Sequence, residues 1–178
     1  MIRTSRNHLM IVTLVAALVG GWTAAAGAQE DATEDLGVFK DWAARKFEEK
    51  GNPVCTMYSQ PTKSEGDYTT RGETYVFVTH RPKANRINEV SIKIGYTFKT
   101  ETPVMVRIGG AEFELFSEDD FAWAEDSRED EKLVRAMRAG ATMEVEGVSN
   151  RGTKTVDTYS LSGFSAANNK ITDACNAR

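Results

Sequence analysis

Cysteine and histidine are scarce in this chain, with two of each among 178 residues. Two cysteines are too few for a four-thiolate zinc site or a dense disulfide scaffold. Proline and glycine number 4 and 14, too few for a collagen-like or low-complexity chain. Neither sign of charge dominates, since 22 basic and 26 acidic side chains leave a net charge of −4. Long hydrophobic runs are absent except at the start. The chain does have 40 % apolar residues, enough for a core and too many for disorder throughout. Its length suits a single domain.

The one apolar run reads as an address. Arg3 and Arg6 precede an uncharged apolar stretch over 9–22, and small residues follow to Ala28. This is the layout of a secretory signal peptide, removed after residue 28 or, alternatively, after Ala26. A membrane anchor is the other reading, but the run falls short of the roughly 20 apolar residues that span a bilayer. No second such run follows, so no stable membrane span is expected after cleavage. No cysteine at the cleavage point offers a lipid acceptor. Removing 1–28 takes away two arginines and no acid, which leaves a net charge of −6. Nucleic-acid binding needs clustered Lys and Arg, so an acidic domain argues against that partner. Residues 29–37 read as a flexible acidic leader and 38–178 as the folded domain. About 150 residues bury about 70 % of their unfolded surface, enough to stand alone.

Export predicts an oxidising compartment, where Cys55 and Cys175 most simply form one disulfide. They are 120 positions apart, and chain-entropy arguments credit such a loop with roughly 4–5 kcal/mol. The alternative, a reactive thiol, has no CxxC motif and no neighbouring histidine behind it.

The domain reads as strands with two short helices. A strand is expected over 38–47 around Trp42, another over 54–60, and a Pro- and Gly-containing loop over 61–73. A strand over 74–80, apolar on both faces, has the look of a central one. Over 90–98, Val90, Ile92, Ile94, Tyr96 and Phe98 alternate with polar residues, the period of a half-buried strand. Val104, Val106 and Ile108 repeat it, and Gly109-Gly110 turns the chain into a hairpin with Phe113 and Leu115 inward. Asp126, with Glu129 three residues on, starts a helix over 126–139 whose acids come first and bases last, and Gly140 ends it. Met143 and Val145, a turn at Asn150 to Thr153, and Tyr159 with Leu161 give two more strands. Ser165 is expected to cap a final helix over 165–175, with Ala167, Ile171 and Cys175 on one face. About nine antiparallel strands with no βαβ rhythm indicate an all-β sandwich or compact barrel.

At this point the residues resemble a known family. The stretches YVFVTHRP from Tyr75 to Pro82, NEVSI from Asn88 to Ile92, Gly95-Tyr96, RGTKT from Arg151 to Thr155, DTYSL from Asp157 to Leu161 and Gly163-Phe164 are similar to the invasion-associated locus B (IalB) family. The closing segment from Ile171 to Cys175 fits as well, so the resemblance runs over roughly 38–176. It implies an exported bacterial protein of the periplasm or outer surface, associated in pathogens with attachment to or entry into host cells. It implies no catalytic residue set.

The search for chemistry agrees with a non-enzyme. After cleavage one histidine remains, His80 beside Arg81-Pro82, and it reads as a strand-end histidine making ordinary hydrogen bonds. No G-x-S-x-G elbow, P-loop or dinucleotide motif is present. The cluster Glu118-Asp119-Asp120 lacks the glycine and closing glutamate of a calcium loop. No cofactor or metal is expected. Two features invite a functional reading. Arg81, Lys83 and Arg86 gather within a short stretch and read either as a solvated loop or as a candidate contact with an anionic partner. Phe116, Phe121 and Trp123 read as core packing, with an aromatic interaction surface as the alternative. Three function classes follow: a non-catalytic binding or adhesion module with a protein partner at the envelope or host surface; a periplasmic helper, inhibitor or envelope-complex subunit; and a carboxylate-based hydrolase.

Overall fold

The computed structural model describes residues 33–177. The signal-peptide reading of 1–28 lies outside the described residues, as does the leader up to residue 32. The elements are β1 (Glu34–Phe39), β2 (Trp42–Glu49), β3 (Asn52–Ser59), β4 (Lys63–Gly66), β5 (Tyr75–Arg81), β6 (Arg86–Lys93), β7 (Val104–Ile108), β8 (Ala111–Glu118), β9 (Phe121–Trp123), α1 (Ser127–Ala139), β10 (Thr142–Val148), β11 (Lys154–Ser160) and α2 (Phe164–Ala174). The strands form an antiparallel sheet in the order β1-β2-β3-β5-β6-β9-β8-β7-β10-β11-β4. The described strands therefore number eleven rather than nine, and β1 and β4 are free edges, so the barrel alternative falls. No helix among the described residues is long and apolar enough to cross a membrane.

Strand β8 belongs to both halves of the sheet. Its first part, Ala111 to Leu115, pairs with β7, and its last part, Phe116 to Glu118, pairs with β9. Side chains of the two halves meet in one core, where Trp42, Met57, Val78 and Ile92 join Val106, Leu115, Met143, Val145 and Tyr159. The alternation in the sequence explains these choices, because residues two apart share a face and the apolar set goes inward.

Several expected boundaries moved, each for a local reason. The strand expected over 38–47 is two strands, β1 and β2, joined by a turn at Lys40-Asp41 with Lys40 at φ +54°. Part of the segment read as a leader is thus edge strand β1. The loop expected over 61–73 contains β4, which pairs with β11. The strand expected over 90–98 stops at Lys93, because Gly95 takes φ +80° and its backbone presses on Gly72. Any Cβ at Gly95 would sit 2.4 Å from the Gly72 carbonyl oxygen. Ser165 does not cap α2. That role falls to Gly163 at φ +92°, packed so closely on the β1–β2 turn that a Cβ would lie 1.8 Å from the Phe39 carbonyl oxygen.

The helices dock on the strands in different ways. Asp126 caps α1 by accepting from the N–H groups of Arg128 and Glu129 at 2.8 and 3.0 Å. Leu133, Val134 and Met137 are its buried stripe. Asp130 accepts the Val90 N–H at 2.9 Å, one residue beyond the stretch of β6 that β9 covers. A carboxylate thus replaces the missing strand there. Helix α2 lies over β2, β3 and β5: Phe164 meets Trp42 edge-on at 4.9 Å, and Cys175 is joined to Cys55 by a disulfide.

Candidate interaction surface

The inward set of β3, β5, β6, β9 and β8 leaves an outward set that is unusually aromatic. Strand register places Tyr58 opposite Phe77, Phe77 opposite Ser91, Ser91 opposite Trp123 and Trp123 opposite Phe116. The next row carries Tyr75, Lys93, Phe121 and Glu118. Directly opposed side chains share a face, so these residues form one continuous strip. Tyr58, Tyr75 and Phe77 make one group, with ring centroids 5.6–6.2 Å apart. Phe116 and Phe121 stack on Trp123 at 5.7 and 5.6 Å as the second. The Arg45 guanidinium lies over Tyr58 at 5.2 Å, and the Lys93 ammonium lies 6.0 Å from the Phe121 ring.

The core reading of Phe116, Phe121 and Trp123 is therefore corrected. Leu115 and Ala122 fill the inward positions, and Phe116 is 51 % exposed. Helix α2 covers the opposite face, where it reaches Cys55 and His80. Aromatic residues suit strands intrinsically, and a contiguous aromatic strip on the outer face makes this a candidate interaction surface.

A cavity of about 510 Å³ adjoins this strip, between Phe116 and Trp123 on one side and the start of α1 on the other. Glu118, Glu125, Asp126 and Asp130 line it, with Arg86 and Glu89 across from them. Burial pushes the Asp130 carboxyl up to about 6, against the pull of the Val90 N–H. The concavity thus combines stacked rings with a carboxylate wall, the pairing that favours a cationic guest.

The sequence-derived basic stretch is largely spoken for. Arg81 meets Glu49 through Nε and Nη2, each at 3.1 Å, and Glu89 through Nη1 at 2.7 Å. Arg86 also pairs with Glu89. Lys83 has no carboxylate partner among the described residues and lines a separate hollow of about 620 Å³ beside Phe47, Pro53 and Val54. The sheet brings Glu49 of β2 and Glu89 of β6 to Arg81, while Arg86 and Glu89 are neighbours three residues apart on β6.

His80 is fully buried. Its Nδ1 accepts the Asn88 N–H at 3.0 Å, which leaves the proton on Nε2, 3.0 Å from Thr172 Oγ1. The Thr172 hydroxyl in turn donates to the Asn168 carbonyl at 2.8 Å. Burial lowers the imidazole to about 4, so it is neutral and structural in this network. Glu118-Asp119-Asp120 forms the β8–β9 turn, and no group of three or more His, Cys, Asp or Glu among the described residues is arranged to hold a metal.

One constellation escaped the sequence reading. Arg71, from the segment before β5, forms a bidentate pair with Asp157 of β11 and donates from Nε to the Ile94 carbonyl at 2.7 Å. Its guanidinium also lies over the rings of Tyr68 and Tyr96, at 5.6 and 5.1 Å. The available signal was Asp157 itself, an acid two residues from inward Tyr159, since a carboxylate on a buried face needs a cation.

The profile of the family described as Invasion associated locus B (IalB) protein matches residues 42–172. A solved structure of invasion associated protein b from Bartonella henselae superposes with a TM-score of 0.55 at 16 % identity, covering 79 % of this chain and 96 % of that one. At that identity the likeness is one of fold. No curated protein matches the chain.

Proposed function

Because the chain belongs to the invasion associated locus B family, we propose that it is an exported bacterial envelope protein that works by binding, without catalysis, and seats a polypeptide partner on its outer aromatic strip. The observation that carries this reading is the outward-facing row from Tyr58 through Phe77 and Trp123 to an exposed Phe116, with an acidic cavity at its end. Rigid aromatic side chains supply much of the binding energy at protein interfaces. The carboxylates around the Phe116–Trp123 stack make a basic segment of the partner the complementary one. In this reading residues 1–28 direct export, the protein works in the periplasm or at the outer surface, and in a pathogen the partner belongs to the attachment or entry machinery of the encounter with a host cell.

The test is cross-linking in intact envelopes, followed by capture with wild type and with a Phe77→Ala/Phe116→Ala/Trp123→Ala variant. The reading expects a captured protein that the variant loses and that a lysine-rich peptide displaces, with the fold unchanged by circular dichroism. Retention of the same protein by a folded variant overturns it.

A second reading, a carboxylate-based hydrolase, draws on the raised Asp130 carboxyl in its cavity. Against it, one Asp130 oxygen is committed to the Val90 N–H, and Glu89 is held by two arginines. It requires turnover of a chromogenic glycoside that Asp130→Asn abolishes.

A further inference from the structure

On the side of the molecule where β6 ends, we infer that the cleft between Tyr68 and the Asn150-Arg151 turn is a binding site for a neutral oligosaccharide. The cleft encloses about 520 Å³. It runs on into a second depression of about 400 Å³, and the two share Gly72, Gly95, Tyr96 and Thr97. The saddle between them is the close backbone contact in which the Gly72 N–H donates to the Gly95 carbonyl at 2.9 Å. Together they are two adjoining depressions across one saddle, with room for more than one sugar ring.

The chemistry of the lining narrows the guest. A sugar ring has an apolar C–H face and a rim of hydroxyls that both donate and accept. Tyr68, 38 % exposed, offers an aromatic surface for the first. Around it stand threonine hydroxyls and the side chains of Asp67, Asn150 and Arg151, which suit the second. These three side chains are uncommitted among the described residues. Among the described residues Arg151 is the arginine without an ion pair, hydrogen bond or ring contact, while Arg45, Arg71, Arg81, Arg86, Arg107, Arg128, Arg135 and Arg138 each have at least one.

Charge then separates neutral guests from ionic ones. Arg71 contributes no free charge, because Asp157 neutralises it. Asp67 and Arg151 both line the cleft, so an acid offsets the base there. The far depression carries Glu73, Asp119 and Asp120 against Lys93 alone, which turns away sulfated or uronic-acid glycans. The walls are held in advance of binding. Tyr96 Oη lies 2.7 Å from Thr155 Oγ1, and the Arg71 guanidinium packs against both tyrosine rings. A preformed cleft avoids the ordering cost that weakens flexible sites.

The test is an amide chemical-shift titration of the purified protein with triacetylchitotriose, cellotriose, maltotriose and a heparin disaccharide, each at millimolar concentration. At least one neutral trisaccharide is expected to shift residues 68–72, 95–97 and 150–153. Tyr68→Ala should weaken it about tenfold, a loss in the range of one aromatic contact. Asn150→Ala and Arg151→Ala change exposed side chains with no partners among the described residues, so they test the site without threatening the fold, and each should weaken binding as well. Phe116→Ala should leave it unchanged, which separates this site from the aromatic strip. No shift with any of the neutral probes, shifts centred elsewhere, wild-type affinity in the Asn150 and Arg151 variants, or preference for the heparin disaccharide would each overturn the proposal.

Discussion

Arg71 and Asp157, 86 residues apart in sequence, meet through two hydrogen bonds of 2.7 and 2.5 Å with side chains only 5 % and 0 % exposed. The pair clamps the segment before β5 onto β11. Breaking such a pair from one side strands a buried charge, whereas replacing both partners with apolar groups removes the charge altogether. Arg71→Met should therefore cost about 3–5 kcal/mol in urea unfolding. Arg71→Met/Asp157→Leu should recover much of that loss. Equal stability of the single and double variants would contradict the clamp.

His80 and Asp130 respond to acid in opposite directions over one pH window. His80 falls to about 4 in the fold from an ordinary 6.5, so the unfolded chain binds the extra proton, and stability is lost as pH drops from 6.5 towards 4. Asp130 rises from 3.8 to about 6, so its contribution is full below 3.8 and fades as pH climbs through 6. Each masks the other in the wild type. Asp130→Asn should steepen the loss of stability with acid between pH 6.5 and 4, and His80→Gln should flatten it. Chemical denaturation across that range reads both slopes, and parallel profiles for wild type and variants would contradict the assignment.

Reducing the Cys55–Cys175 bond releases the end of α2 from β3. A loss of about 2–5 kcal/mol is expected. Thermal melts with and without dithiothreitol, compared with Cys55→Ala/Cys175→Ala, measure it. The near-ultraviolet signal of Trp42, which packs on Phe164 of the same helix, should soften in parallel.

Gly163→Ala forces a Cβ into the Phe39 carbonyl at a backbone angle of +92°. The strain alone costs about 1–3 kcal/mol, and the clash pushes the start of α2 away from the β1–β2 turn. Asn at the same position, although it tolerates a positive φ better, meets the same clash and should be no better. A stable Gly163→Asn protein would show that only the angle mattered.

Local features were the most legible in the sequence. The Asp126 cap needed only its own next few residues, and the Val104 to Leu115 hairpin needed only alternation and two glycines. The pairing of Cys55 with Cys175 followed from there being no other cysteine. Alternation says which residues share a face but not which face is covered. Phe116, Phe121 and Trp123 read as core packing with an interaction surface as the alternative, and the structure gives the inward positions to Leu115 and Ala122 instead. The carboxylates on Arg81 depend on register, since Glu49 lies 32 positions away from it, whereas the Arg86–Glu89 pair spans only three residues. The β1–β2 turn carries no glycine or proline at Lys40-Asp41, so nothing in its composition announced it.

The disulfide has a mechanical consequence as well. When tension is applied between residue 33 and residue 177, the force crosses at the sulfurs, and the stretch enclosed between Cys55 and Cys175 cannot be drawn out. Only β1, β2 and the start of β3 can peel away, which caps the extension at a small part of the contour. The strands that carry Phe77, Phe116 and Trp123 all lie inside that enclosure. Between its two ends the molecule therefore lengthens little before the covalent link itself must yield.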